Sequence, residues 1–256
     1  MRLRALFLGT GTSHGVPMIG CRCQVCTSDD PRDHRNRPGL LLRTEDLSLL
    51  VDAPTELRLA CIRYGVDRVD AVLFTHHHAD HIFGLDDIRR FNVERDGPIE
   101  CYGTRETLRE IRKTFRYAFG TRHYGGGLPV LRLIPVDGRF RVGDLEFLTL
   151  PVWHGPTPVT GFRTGGFAYL TDVKTIPQET LPLLQGLDTL VLGVLRWREH
   201  PTHLSVSEAL DLLDIIRPGR TYFTHIAHDL GHRETEGRLP PGVRLAYDGL
   251  ELEVDI

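Results

Sequence analysis

The chain has almost no lysine: arginine carries the basic charge, and Lys113 and Lys174 are the exceptions. No function is attached to that bias. Nor is there an excess of positive charge. The formal net charge is −3, so the basic surface usual in a nucleic-acid binder is not expected. No apolar run approaches the ~20 residues that a membrane-spanning helix requires. The apolar stretch before Gly9-Thr10-Gly11 is too short for the core of a secretory signal, and a cytoplasmic protein is expected. Repeats, low-complexity tracts and domain linkers are missing as well. For 256 residues, one α/β domain over 1–256 is the simplest organisation. Cysteines number five, an odd count, and three crowd into Cys21-Arg22-Cys23-Gln24-Val25-Cys26. That spacing reads as metal thiolates rather than disulfide halves.

Strand and helix patterns interleave along the chain. Period-two or short apolar runs predict strands over 4–8, 39–43, 47–52, 69–74, 98–102, 130–134, 140–142, 145–150, 161–163, 167–171, 189–195 and 221–223. Helices are expected over 55–64, 85–93, 105–113, 178–184 and 206–216. Residues 245–247 and 250–254 read as a closing hairpin about Asp248-Gly249. The Gly-rich segment 115–129 reads as a loop or lid, with Arg122, His123 and Tyr124 near the pocket.

The densest chemistry lies in His76-His77-His78-Ala79-Asp80-His81, directly after a predicted strand. Residues two apart in an extended segment face the same way, so His76 and His78 can reach one cation while His77 points elsewhere. Asp80 and His81 follow as the chain turns into a helix and can face a neighbouring cation. Imidazole and carboxylate donors suit Zn²⁺, Mn²⁺ or Fe better than Ca²⁺. His154, Asp172 and His225 also follow predicted strands, and strand ends can converge on one rim of a sheet sandwich.

Thr75-His76-His77-His78-Ala79-Asp80-His81 resembles the HxHxDH motif of the metallo-β-lactamase superfamily. Gly9-Thr10-Gly11, Val51-Asp52-Ala53, Trp153-His154-Gly155, Thr171-Asp172 and Thr224-His225 are similar to its other motifs, in the same order. The resemblance spans nearly the whole chain. It implies an α/β fold, the four-layer αββα sandwich, with two divalent metals at one edge. His76, His78 and His154 would hold one metal, Asp80, His81 and His225 the other, and Asp172 would bridge them. Asp52 would orient ligands by hydrogen bonds.

Cys21, Cys23 and Cys26 are one ligand short of a tetrahedral zinc site. His228, three residues past His225, is the best fourth candidate, with His34 and His14 as alternatives. Cys61 and Cys101 fall at apolar positions and read as core. A structural zinc loop over about 14–38 joined to a dinuclear site resembles the PhnP-type cyclic phosphodiesterases. PqqB-like proteins share the cysteine loop but usually lack a full hydrolytic ligand set. The family resemblance also suggests a homodimer.

His203 stands just ahead of a helix opened by the Ser205-x-x-Glu208 capping pattern. The resemblance implies that it contacts phosphate or protonates the leaving oxygen, with His200 as a weaker rival. Alternatively, the helix end leaves it a neutral donor. The expected activity is hydrolysis of a small, cyclic sugar or nucleotide phosphodiester by a metal-activated water, with Asp80 central to catalysis. The rivals are an RNase Z-like nuclease, a thioester or lactone hydrolase, and a non-catalytic PqqB-like protein. Neither a nucleic-acid partner nor a membrane is expected.

Overall fold

The computed structural model describes residues 2–93, 95, 97–120 and 127–256. Arg122, His123 and Tyr124 lie outside the described residues. The first sheet is entered by β1 (Arg2–Gly9), β2 (Gly39–Arg43), β3 (Ser48–Val51), β4 (Ala71–Leu73), β5 (Ile99–Gly103) and β6 (Leu131–Pro135). The second takes β7 (Arg139–Val142), β8 (Leu145–His154), β9 (Thr157–Thr164), β10 (Phe167–Leu170), β11 (Thr189–Arg196), β12 (Leu204–Ser205), β13 (Arg220–Thr224) and β14 (Val243–Leu245). The last strand, β15 (Glu251–Asp255), returns to the first sheet beside β1. The α-helices among the described residues are α1 (Leu57–Arg63), α2 (Ala79–Ile82), α3 (Arg105–Thr114), α4 (Val206–Ile216) and α5 (His232–Glu236).

Why the layers form is written in the alternation of apolar residues. On β1, Leu3, Ala5 and Phe7 face one side while Leu6 and Leu8 face the other, and all five are buried. A strand with two apolar faces must be covered on both. The Leu3 face joins Leu40, Leu49 and Leu73 against Phe147, Phe162 and Tyr169, which forms the core between the sheets. The Leu6 face packs with Val72 and Cys101 against α1 and α3 through Leu57, Cys61, Leu108 and Ile111. A third cluster sets Leu170, Leu192 and Phe223 under Val206 and Ala209 of α4. Three apolar layers between four structural ones make the αββα sandwich that the resemblance implied.

Several expectations need correction. Residues 85–92 and 181–184 wind as 3-10 turns rather than α-helices. The final hairpin does not exist. β14 pairs in parallel with β13, whereas β15 pairs antiparallel with β1 in the other sheet. The Asp248-Gly249 turn therefore carries the chain between sheets, since β14 and β15 cover different cores. β8 runs to His154 itself and turns directly into β9, a longer strand than residues 161–163 suggested. α5 and β12 had no counterpart in the expected pattern.

Candidate active site and thiolate cluster

All the strand-end candidates emerge at one rim of the sandwich. Asp52 directly follows β3, Asp172 lies two residues past β10, and His225 directly follows β13. Each has a left-handed backbone, with φ of 64°, 49° and 59° respectively. That conformation is costly for a residue with a side chain and is found where surrounding structure enforces it, often at functional sites. His76 and His78 come from the segment after β4, Asp80 and His81 from α2, and His154 from the last position of β8.

The structure brings these groups together. Ligand atoms of His76, His81 and Asp172 lie within 4.8 Å of one another, as do those of Asp80, His81 and His225, and those of His154, Asp172 and His203. Shared members make the three groups one cluster. His78 joins through its ring, with centroids 4.4 Å from His76 and 5.4 Å from His154. His77 enters none of the ligand groups found among the described residues.

Outer partners fix which ring nitrogen faces inward. His81 donates from Nδ1 to Asp52 Oδ2 at 2.7 Å. Thr75 donates its amide to Asp52 Oδ1 at 2.9 Å and its hydroxyl to Oδ2 at 2.8 Å. With that hydroxyl proton committed, Thr75 Oγ1 accepts from His76 Nδ1 at 3.0 Å. His154 Nδ1 lies 2.7 Å from the Thr202 carbonyl, which can only accept. In all three imidazoles Nδ1 therefore carries a proton and Nε2 is the atom turned toward the cluster. Burial would lower the His81 pKa, but the Asp172, Asp52 and Asp80 carboxylates outweigh it and hold that ring well above its usual value. Such outer-shell control of tautomer is characteristic of metal-ligating histidine. The sequence reading assigned no role to Thr75 or Thr202. Thr75 had a signal in its place beside His76; the Thr202 carbonyl, 48 residues from His154, had none. Gly155 turns β8 into β9 at φ 58°, and a Cβ there would meet Thr202 Cγ2 at 2.7 Å.

The inward atoms test whether cations fit. His76 Nε2, His81 Nε2 and both ring nitrogens of His225 are buried without a hydrogen-bond partner. His81 Nε2 is 3.0 Å from Asp172 Oδ2, and His225 Nε2 is 3.2 Å from Asp172 Oδ1, yet neither contact has hydrogen-bond geometry. Donor atoms that crowd together without bonding one another are arranged for a common cation. Burial pushes the Asp172 carboxyl upward, but the His225 and His81 imidazoles outweigh it and hold the group well below the usual range. Asp80 is likewise driven down, its burial opposed chiefly by His81. Anionic oxygens and imidazole nitrogens in this proportion suit Zn²⁺ or Mn²⁺.

His203 stacks between the cluster's two sides, with ring centroids 4.3 Å from His154 and 4.8 Å from His225. Burial and the nearby His225 lower its pKa to about 2. That favours a neutral N–H donor at ordinary pH, and the cause is burial and the adjacent imidazoles rather than the helix end of the sequence reading. Ser205 and Glu208 form the expected capping box at the head of α4. The rival His200 instead turns its Nδ1 onto its own loop, where it accepts from the Thr202 amide at 3.3 Å.

The cysteine loop meets the other side of the same segment. His228 Nδ1 lies 3.2 Å from Cys21 Sγ, 3.3 Å from Cys23 Sγ and 3.5 Å from Cys26 Sγ. His14 and His34 are outside this group, and His34 Nε2 sits 3.0 Å from the Ser28 carbonyl. Amides of Cys26 and Met18 donate to Cys23 and Cys26 Sγ. The first of these bonds is the main cause of a Cys23 pKa lowered to about 6, while burial raises Cys26 to about 11. Three sulfurs and one imidazole match a closed tetrahedral zinc site. Cys61 and Cys101 are buried in the apolar layer over the first sheet.

Residues 48–226 match the family model described as the beta-lactamase superfamily domain. Sandwich, rim and match agree: the chain belongs to the beta-lactamase superfamily and has the metallo-β-lactamase fold. Within it the likeness runs to the PhnP family. A crystal structure described as a new diphosphatase from that family is 38% identical, covers 99% of this chain and 98% of its own, and superposes with a TM-score of 0.93. An octanoyltransferase of Porphyromonas gingivalis is 38% identical over 99% of this chain but only 52% of its own length. A ribonuclease Z of Clostridium acetobutylicum is 29% identical over 54% of this chain and 46% of its own. The chain thus spans about half the length of these two curated relatives. Among the described residues no helix is long and apolar enough to cross a membrane.

Proposed function

We propose that the chain is a metal-dependent phosphodiesterase of small, cyclic sugar or nucleotide phosphodiesters. Two divalent cations, Zn²⁺ or Mn²⁺, would occupy the histidine–aspartate cluster and a structural Zn²⁺ the Cys21-Cys23-Cys26-His228 cluster. One observation carries the reading: the buried ring nitrogens of His76, His81 and His225 have no hydrogen-bond partner and converge with the Asp80 and Asp172 carboxylates. The diphosphatase neighbour supports chemistry at phosphorus. The octanoyltransferase name is not carried over, since the match takes in about half of that protein.

His76, His78 and His154 would hold one cation, Asp80, His81 and His225 the other, and Asp172 would lie between them. Divalent cations bound there supply Lewis acidity toward water and phosphoryl oxygens. Asp80, kept ionised, would orient the attacking water and accept the proton it gives up, and the leaving oxygen would take its proton from solvent. His203, neutral and beside both halves of the cluster, donates a hydrogen bond to the leaving oxygen as the P–O bond breaks. Asp52 and Thr75 hold His81 and His76 in the required tautomers.

Chain loaded with Mn²⁺ or Zn²⁺ should hydrolyse bis(p-nitrophenyl) phosphate. Asp80→Ala should lose at least about 100-fold, beyond the 10–100-fold typical of outer-shell changes. Hydrolysis of a thioester or lactone with none of phosphodiesters overturns the proposal, as does a fully metallated chain inert on all of them. Cleavage confined to precursor tRNA would move the reading to a nuclease.

A further inference from the structure

Beside the cluster, at the same rim, opens a cleft of about 520 Å³. Topology fixes its place. β4, β5 and β6 run parallel with Leu73, Tyr102 and Ile134 in register. The chain segments leading to His76 and to Thr104 therefore leave neighbouring strands about 4.8 Å apart. From the other sheet, Thr160 in the cleft wall donates its amide to the Thr75 carbonyl at 3.0 Å. Trp153, also in the wall, directly precedes His154. His76 and His154, on one side of the metal-ligand cluster, thus adjoin the cleft through neighbouring residues.

Its apolar wall is made by Val136, Pro151, Trp153, Pro158 and Pro177. Pro151 and Trp153 on β8 share the face that carries Phe147 into the inter-sheet core, and Trp153 pairs across the hairpin with Pro158. The cleft is the open end of that core. Trp153 is 43% exposed there, whereas most large apolar side chains on this face are covered. The charges on its lip are mainly acidic: Glu106, Asp137 and Glu179 against Arg105 alone. Three carboxylates to one guanidinium disfavour a second phosphate but suit N–H donors on an uncharged ring. An indole beside proline surfaces stacks on such a ring.

We infer that this cleft is a nucleobase subsite, in which Trp153 stacks on the base of a nucleotide whose phosphodiester lies in the neighbouring metal-ligand cluster. The inference rests on the phosphodiesterase reading for its biological meaning, but its binding test does not. Its size falls within the usual range for small-ligand sites, about 300–1,000 Å³. Trp153 would be a specificity-determining residue that acts on substrate choice rather than on the bond being cleaved.

The test uses the metal-loaded full chain carrying Trp197→Phe, which leaves Trp153 as the sole indole. Adenosine, which has no phosphate, should quench its fluorescence saturably, and ribose 5-phosphate should not. In the kinetic arm, Trp153→Ala should lower kcat/KM for 2′,3′-cyclic AMP, relative to a ribose-only cyclic phosphodiester, by about tenfold, with Trp153→Phe recovering most of it. Absence of quenching by adenosine overturns the inference, and so does an equal loss on both substrates. Quenching by adenosine without phosphodiester hydrolysis would keep the subsite and remove the phosphodiesterase reading, so the two failures are separable.

Discussion

The two candidate metal clusters are built in opposite ways, although only two residues separate His225 in one from His228 in the other. The thiolate cluster draws three ligands from one loop and a fourth from a distant segment, and its Cys21, Cys23 and His228 are only half-buried. Its four donors leave no open position. The histidine–aspartate cluster gathers donors from both sheets and buries His76, His81, Asp172 and His225 almost completely. Its ligand tautomers are set by a further layer made of Asp52, Thr75 and the Thr202 carbonyl. The first design closes a loop onto the fold. The second keeps a rim open while holding each nitrogen still. Stability should therefore depend most on the exposed cluster and turnover on the buried one.

Cys23→Ser offers the largest test of that contrast. Metal content should fall from three ions to two by elemental analysis. Even a loss of ~4 kcal/mol, a fraction of the ~10–16 kcal/mol typical of structural Zn²⁺, lowers Tm by roughly 10 °C at this chain length. An unchanged Tm with one ion missing would dissolve the division of labour. His203→Ala, which removes the N–H donor, should come next: kcat falls about 100-fold for an alkoxide leaving group but far less for p-nitrophenolate, which needs little help to depart. Equal losses on both would make His203 a ligand-positioning group instead. Asp52→Asn should cost about 10–100-fold in cation affinity or activity, read by metal titration, with Tm nearly held. A variant binding cations like the parent would remove Asp52 from the tautomer argument.

The smallest effect concerns the scaffold that joins the clusters. Buried Arg35 donates to Thr10 Oγ1 at 2.8 Å, to the Ala246 carbonyl at 2.6 Å and to His232 Nδ1 at 3.1 Å. Thr10 and Thr12 in turn bond the backbone of Ile226, midway between the clusters. Burial, aided by Arg35, holds the His232 pKa down at about 4. The unfolded chain takes this proton near pH 6.5, the folded chain only near 4. Stability from neutral His232 is thus present above pH 6.5 and drains as pH falls toward 4. By pH 5 this amounts to about 1–2 kcal/mol, so His232→Gln should flatten the Tm decline between pH 7 and 5 by a few degrees. Parallel declines in both proteins would place the acid sensitivity elsewhere, in the histidine cluster itself.

The sequence made some of this legible and hid the rest for physical reasons. The His76–His81 run and the Cys21–Cys26 run are local, so their spacing alone announced ligand chemistry. His154, Asp172 and His225 were findable because each follows an apolar strand that delivers it to a common rim. The Thr202 carbonyl was not findable, because every residue has a carbonyl and only the β8–β9 turn brings this one to His154. The closing hairpin misled because Leu245 and Leu252 do alternate like paired strands, yet they are buried in different layers. Apolar alternation says that a strand is covered but not by which sheet.

By itself the sequence determined the donor atoms and most of the strands, and through its family resemblance it implied the four-layer architecture. Tertiary structure alone decided which lone pairs face inward, which sheet receives each of the last two strands, and that an apolar cleft opens beside the ligands. The reason is range: periodicity and spacing act over a few residues, whereas tautomers, strand partners and cavities depend on contacts between segments far apart along the chain.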